Sequence, residues 1–226
     1  MATTAKSAAD VELVPLQKND SLWVAEGCFQ AFPTFYEPMF SPPSARPSHS
    51  ILVKRFSHRL SSLLDHRDIL ATKAVVASGS EQGRPVGIAL WHRPGAPIRN
   101  LKRRVSQPDQ EESLEDKDAW EGTDSDKWEQ VWGGWDKVRS RIMGDVPHWY
   151  IAPLWIIPEN QGQGVGSRLL QQVIDLADAH TPPQPIYLEA SADGKRLYEK
   201  LGFVVEGGSE YVEMVRWNKE GRKRGE

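Results

Sequence analysis

The chain has 226 residues and a mass of 25.4 kDa, which suits one large domain with an insertion better than two very small ones. Hydrophobic residues make up 39% and the mean hydropathy is −0.53, with no apolar run near the ~18 residues of a membrane span, so a soluble protein is expected. A net charge of −3 gives no footprint for nucleic acid, and the single cysteine, Cys28, excludes an intrachain disulfide and a Cys-x-x-Cys metal knuckle.

The opening residues lack the charged and apolar regions of a signal peptide, and their acids argue against a transit peptide. With one cysteine this predicts a reducing, cytoplasmic setting. Residues 1–10 read as a flexible N-terminus and 11–218 as one domain. Val11 to Leu16 alternates as a first strand, and Asp20 is placed to cap a helix carrying Leu22, Val24, Ala25 and Phe29. Five prolines from Pro33 to Pro47 predict an extended or turning link. Ile51, Leu52, Phe56, Leu60, Leu63 and Leu64 restore a helical period. Lys73 to Ala77 and Val86 to Trp91 read as a hairpin across the turn residues Gly79 to Pro85.

An insertion of about 94–145 follows. It holds a basic cluster (Arg99, Lys102, Arg103, Arg104) and then, from Asp109 to Asp126, nine acids against Lys117 alone. Such a run is expected as a solvated loop. Trp128, Val131, Trp132, Trp135, Val138 and Ile142 share one helical face, either docking a helix or lining a pocket for a cationic or aromatic amine. At the far end, 219–226 is a basic tail expected to fray.

The most informative stretch begins at His148. Trp149 to Ile157 is apolar and β-prone, Pro158-Glu159-Asn160 interrupts it, and Gln161-Gly162-Gln163-Gly164-Val165-Gly166-Ser167 leads into a helix. That helix buries Val165, Leu169, Leu170, Val173, Ile174 and Ala177. Ile186 to Ala190 is a strand, Ser191 to Leu201 a helix stopped by Gly202, and Phe203–Glu206 with Tyr211–Arg216 a closing hairpin. A strand feeding a helix through three glycines leaves outward N–H donors at the positive end of the helix dipole, a site for a phosphate. A P-loop is excluded because no Gly-Lys-Ser/Thr follows. A dinucleotide fingerprint fails because Ser167 or Leu169 fills its third glycine slot, although Glu189 lies where a ribose-binding acid would be.

Gln161-x-x-Gly164-x-Gly166 between an apolar strand and an amphipathic helix resembles the acetyl-CoA motif of the GNAT superfamily of N-acetyltransferases. Leu188-Glu189-Ala190-Ser191 through Leu197-Tyr198-Glu199-Lys200-Leu201-Gly202-Phe203 resembles its second signature. His148-Trp149-Tyr150 before the strand is similar to members that act on antibiotics such as puromycin. The likeness runs from about Val146 to Trp217. It implies an α/β fold with a mixed, mostly antiparallel twisted sheet flanked by helices, and acetyl transfer to a primary amine by direct attack.

The resemblance places the pantetheine arm along Trp155, Ile156 and Ile157, and the pyrophosphate on Gln161, Gly162, Gln163, Gly164, Val165, Gly166 and Ser167. Pro153, with no N–H, predicts a bulge or splaying of that strand. Ser191 stands where many members have a cofactor-binding asparagine, and it equally suits a helix cap. Tyr198 matches the family's general acid, against the alternative of ring packing on the cofactor. His148, Tyr150 and His92 are weak candidates for a general base. No metal is implied. The acceptor reads as a small-molecule amine, with a peptide acceptor or a non-catalytic acyl-CoA sensor as alternatives, and the chain as a monomer or homodimer without nucleic-acid or membrane partners.

Overall fold

The computed structural model describes residues 10–40, 44, 46–97, 113–207 and 212–217. The N-terminal segment 1–9, the basic cluster 99–104, acids 109–112 and the tail from 218 lie outside them.

One seven-stranded sheet organises the chain. Its strands are β1 (Val11–Pro15), β2 (Ile69–Val76), β3 (Pro85–His92), β4 (Trp149–Ile156), β5 (Ile186–Ala190), β6 (Val204–Val205) and β7 (Val212–Arg216), in the order β1-β2-β3-β4-β5-β7-β6. All neighbours are antiparallel except β4 and β5, which run parallel and pair only at Trp149↔Ile186 and Tyr150↔Tyr187. The mixed, mostly antiparallel sheet expected from the sequence is therefore the observed one.

The parting of β4 from β5 has a local cause. Opposite β3, the register runs Ala89↔Leu154 and then Trp91↔Ile151, so Ala152 and Pro153 together face Leu90. That extra residue is a β-bulge at the proline, as Pro153 predicted. It also reverses the alternation of faces. Trp149 and Ile151 pack on one side of the sheet, whereas Trp155, of the same parity, packs on the other.

Helices cover both faces. On one lie α1 (Ser21–Ala31), α2 (Pro33–Phe40), α3 (His49–Leu64), α4 (Leu114–Trp120) and α5 (Ser125–Met143), around a core that includes Phe29, Phe56, Leu60, Ile88, Leu90, Trp128, Trp132 and Trp155. On the other lies α6 (Val165–Ala179), with all six expected apolar positions buried, and then α7 (Lys195–Lys200). Gly27 lets α1 approach the sheet, because a Cβ there would overlap the indole of Trp155.

Four expectations change. The proline-rich link is partly helical: α2 starts with Pro33, whose fixed φ and missing N–H suit a first helical position. Asp20 stands at the N-cap of α1 but bonds Lys73 Nζ at 2.7 Å and the Gln17 N–H at 2.8 Å rather than capping the helix. The acidic run is not all solvated loop, because 114–120 form α4, with Ser113 Oγ accepting from the Asp116 N–H at 3.1 Å. The last helix spans only Lys195–Lys200, and Ser191 closes the turn before it.

Candidate active site

The glycine loop folds for two different reasons. Gly162 (φ 73°) and Gly164 (φ 82°) are left-handed with open space where a Cβ would stand, so conformation selects glycine there. Gly166 has ordinary dihedrals, but a Cβ would lie 3.2 Å from the Leu197 side chain. The loop is tied down by its own amides: Gln161 Nε2 donates to the Ile156 carbonyl (2.9 Å) and Gln163 Nε2 to the Glu159 carbonyl (2.7 Å). Gly164 then precedes the first turn of α6, where Val165, Gly166 and Ser167 present N–H groups that a helix leaves without internal acceptors.

These groups line a groove of about 530 Å³ running from the glycine loop along Leu154–Ile156 to Ser191, Gly194, Leu197 and Tyr198. It brings together most of the residues expected to hold the cofactor: Trp155, Ile156, Gln161, Gly162, Gly164, Val165, Gly166, Ser167 and Ser191. Gln163 and Ile157 are not in its lining. Ile157 donates its N–H to the Val86 carbonyl at 2.9 Å. By strand parity Trp155 then also directs its main chain to β3, opposite Ile88, so Leu154 and Ile156 face the opened edge.

A second cavity, about 120 Å³, lies on the other side of the parting strands. Phe32, Phe35 and Tyr36 come from the α1–α2 junction, Trp132 and Trp135 from α5, and His92, Tyr150 and Pro153 from the sheet. Its aromatic wall is continuous: Phe35 stacks on Trp135 at 5.3 Å, and Trp135 meets Trp132 edge-on at 4.7 Å. One carboxyl, Glu189, belongs to this lining. Phe32, Leu154, Ser191 and Tyr198 line both spaces, so Tyr198 stands where they meet.

Tyr198 is held by an edge contact with Phe203 at 5.7 Å and by Gly194, where a Cβ would come within 3.0 Å of its ring. Burial pushes its phenol up to about 12, so it is protonated at neutral pH. Ser191 Oγ accepts from the Gly194 N–H at 3.3 Å, giving it a turn-closing role, and it also faces the groove. Of the weak base candidates, His148 bonds the Val146 carbonyl through Nδ1 at 2.7 Å, burial lowers its pKa, and it lines neither of the two spaces. Burial likewise raises the Tyr150 phenol well above its ordinary value. Cys28 is fully enclosed and its thiol is pushed up to about 12, so it is inert as a nucleophile. Among the described residues no group of His, Cys, Asp and Glu has a metal-binding arrangement, and no helix is long and apolar enough to cross a membrane.

The sequence alone did not reveal Phe32, Phe35 and Tyr36, which sit in the proline-rich stretch, or the part played by Glu189. The available signal was a lone acid inside the apolar run Ile-Tyr-Leu-Glu-Ala.

A sheet parted at a bulge, with a glycine loop and helix start beside the gap, leaves backbone donors free beside an open groove, an arrangement suited to the phosphate and extended arm of an acyl-CoA. The model of the acetyltransferase (GNAT) family matches residues 50–203, and the chain belongs to that family: it is an acetyl-CoA-dependent N-acetyltransferase. A comparison with curated proteins finds no match. Among solved structures, a histone acetyltransferase HPA2 and related acetyltransferase from Corynebacterium glutamicum is 25% identical, with a TM-score of 0.57 over 92% of this chain and 96% of that one. The PaiA N-acetyltransferase of Thermoplasma acidophilum, solved with coenzyme A, is 14% identical with a TM-score of 0.50, covering 91% and 98%. The spermidine/spermine N-acetyltransferase SpeG of Vibrio cholerae is 13% identical with a TM-score of 0.50, covering 96% and 99%.

Proposed function

We propose that the acceptor is a small primary amine with an apolar or aromatic body, acetylated by direct attack with Tyr198 as the general acid. The observation that carries this reading is the meeting of the two cavities at Tyr198. The acceptor side is enclosed by aromatic rings and is small; an apolar cavity of about 150 Å³ holds a ligand the size of benzene. Such a space suits a compact amine better than a folded protein surface.

The cradle fits acetyl-CoA, because open left-handed glycines and unpaired first-turn N–H groups suit a pyrophosphate. Gly162, Gly164, Val165, Gly166 and Ser167 would hold that group, and the main chain of Leu154 and Ile156 the pantetheine arm. When bound, acetyl-CoA supplies an acetyl group on a good leaving thiol. The amine lone pair forms the new C–N bond as the C–S bond breaks, and the Tyr198 hydroxyl gives its proton to the departing sulfur. A phenol that stays protonated through neutral pH is always loaded for that task.

Tyr198→Phe keeps the ring and removes only the donor. Turnover, followed as free thiol from acetyl-CoA with a panel of amines, should fall about 10²–10⁴-fold with acetyl-CoA affinity kept. A wild-type kcat in the variant would reassign Tyr198 to packing. Turnover confined to peptides would overturn the small-amine acceptor.

A further inference from the structure

We propose that Glu189 receives the acceptor amine: its carboxylate pairs with the incoming ammonium and takes the proton that must leave before nitrogen can attack. This deepens the acetyl-transfer reading given above and rests on it.

Glu189 lies on β5, in the middle of the sheet, and belongs to the lining of the acceptor cavity together with Tyr198. Its Oε1 is shut off from solvent and has no hydrogen-bond partner among the described residues. A buried carboxylate oxygen without a donor is costly to keep. A primary ammonium entering the cavity brings three donors and a positive charge, which supplies what that oxygen lacks. Much of the remaining lining is aromatic, with Leu63, Ile151 and Pro153 among the apolar side chains, a setting that favours a cation and its apolar stem.

The surroundings of Glu189 set its proton affinity. Tyr150 faces it from β4, Tyr187 from its own strand and Arg139 from α5, while Glu213 is its cross-ladder partner on β7. His92 stacks on Tyr150 at 5.4 Å, and His148 meets Tyr187 edge-on at 6.1 Å. Burial raises the carboxyl to about 7 against the opposing pull of the neighbouring Tyr150 hydroxyl, Arg139 and the Tyr187 hydroxyl. A base in that range is ionised enough to bind an ammonium, and basic enough to hold its proton briefly. Arg139 is itself buried, bonded to Asp136 at 2.8 Å and seated over the Tyr150 ring at 4.8 Å, so a fixed positive charge stands behind the tyrosine.

The proton balance closes. The ammonium loses one proton to Glu189, which later releases it to solvent. The second proton is lost from nitrogen as the amide forms, and it replaces the one Tyr198 gives to sulfur. Net release is one proton per turnover, the same as for acetylation of an ammonium.

The test uses 2-phenylethylamine as probe and reads both binding and turnover. Trp132 and Trp135 line the cavity, so tryptophan fluorescence of the full chain reports amine binding without chemistry. Wild-type affinity should weaken at least tenfold from pH 8 to pH 5.5, where Glu189 is protonated. Glu189→Gln should bind at least tenfold more weakly at pH 8 and lose the pH dependence, with acetyl-CoA affinity unchanged. Its kcat/KM should fall about 10²–10³-fold, and its acid limb should move toward the pKa of the amine itself. Glu189→Asp, which keeps a titrating charge on a shorter arm, should restore a pH-dependent affinity. Equal amine affinity and an equal pH profile in wild type and Glu189→Gln would overturn the proposal. Amine binding with the predicted pH dependence but no thiol release from acetyl-CoA would instead count against the transfer reading, while leaving the carboxylate's role supported.

Discussion

Moving a carboxylate from water into the interior of a sheet costs several kcal/mol unless partners replace its hydration. At Glu189 the replacement is incomplete, since one oxygen is left without a donor among the described residues. Its carboxyl therefore titrates at about 7 in the folded protein, against an ordinary value of 4.5. Between those two values the folded chain holds a proton that the unfolded chain has lost. Stability accordingly falls as pH rises from about 4.5 to about 7, and the loss persists above that range. Glu189→Gln cannot ionise. It should match the wild type in thermal melts near pH 4.5 and exceed it at pH 8, by up to about 3 kcal/mol. A variant less stable at pH 8 would mean that Arg139 and the tyrosines already compensate the charge. The combination expected here, a gain in stability with a loss of activity, separates a functional carboxylate from a structural one.

At the scale of elements, the insertion matters for what it does to α3 and α5. Arg59, on α3, is buried, donates from Nε to the Ala119 carbonyl at 2.7 Å, and donates from Nη2 to Thr123 Oγ1 at 2.6 Å. Its guanidinium lies 3.9 Å from the Trp120 ring centroid and 5.5 Å from that of Trp128. Around it Arg55, itself largely buried, pairs with the exposed Asp118 and Glu121, and the exposed pair of His58 with Asp116 contributes little. A deletion of Asp109 to Asp126 would strip Arg59 of these acceptors and leave a buried cation. A solvated loop would make such a deletion harmless; the structure instead predicts a loss of about 3–5 kcal/mol. Denaturant unfolding of the deletion, with and without Arg59→Leu, measures this, and the second substitution should recover part of the loss. No residue of α4 lines the aromatic cavity. The contrast shows what was legible. The α6 stripe, the glycine loop and the strand pattern are local periodicities, and each folded as read. α4 was hidden because its seven residues carry four charges and a single buried position, Ala119. α2 was hidden because five prolines dominated the reading of its surroundings. Tyr198 and the glycine loop were singled out through the resemblance, and the structure brings them to one groove. The aromatic cavity was not legible, because it gathers side chains from the α1–α2 junction, α2, α3, α5, α7, β3, β4 and β5, which no spacing connects.

Across the whole molecule, the bulge at Ala152–Pro153 borders the aromatic cavity, beside Leu154, which lines both spaces. It ends the pairing of β4 with β5 after Tyr150, exposes the main chain of Leu154 and Ile156, and turns Trp155 under α1. The groove so formed is bounded by the loop before α6 on one side and by Ser191 to Lys200 on the other. A ligand spanning it bridges elements that are otherwise joined across the gap mainly by two residue pairs of a parallel ladder. Acetyl-CoA at 100 times its Kd should then stabilise the fold by about 2.7 kcal/mol, if it binds only the folded state. In a chain of this size that corresponds to a rise of about 5–10 °C in Tm. Gly164→Glu puts a side chain on a residue at φ 82° and a negative charge at the helix start. The backbone strain should cost about 1–2 kcal/mol in the free protein. The larger effect should be on the ligand, because the carboxylate occupies the space open to the pyrophosphate and repels it. The thermal shift with acetyl-CoA should therefore vanish in Gly164→Glu and persist in Tyr198→Phe, whose altered atom lies at the other end of the groove. A full shift in a folded Gly164→Glu protein would place the pyrophosphate elsewhere and detach the glycine loop from cofactor binding.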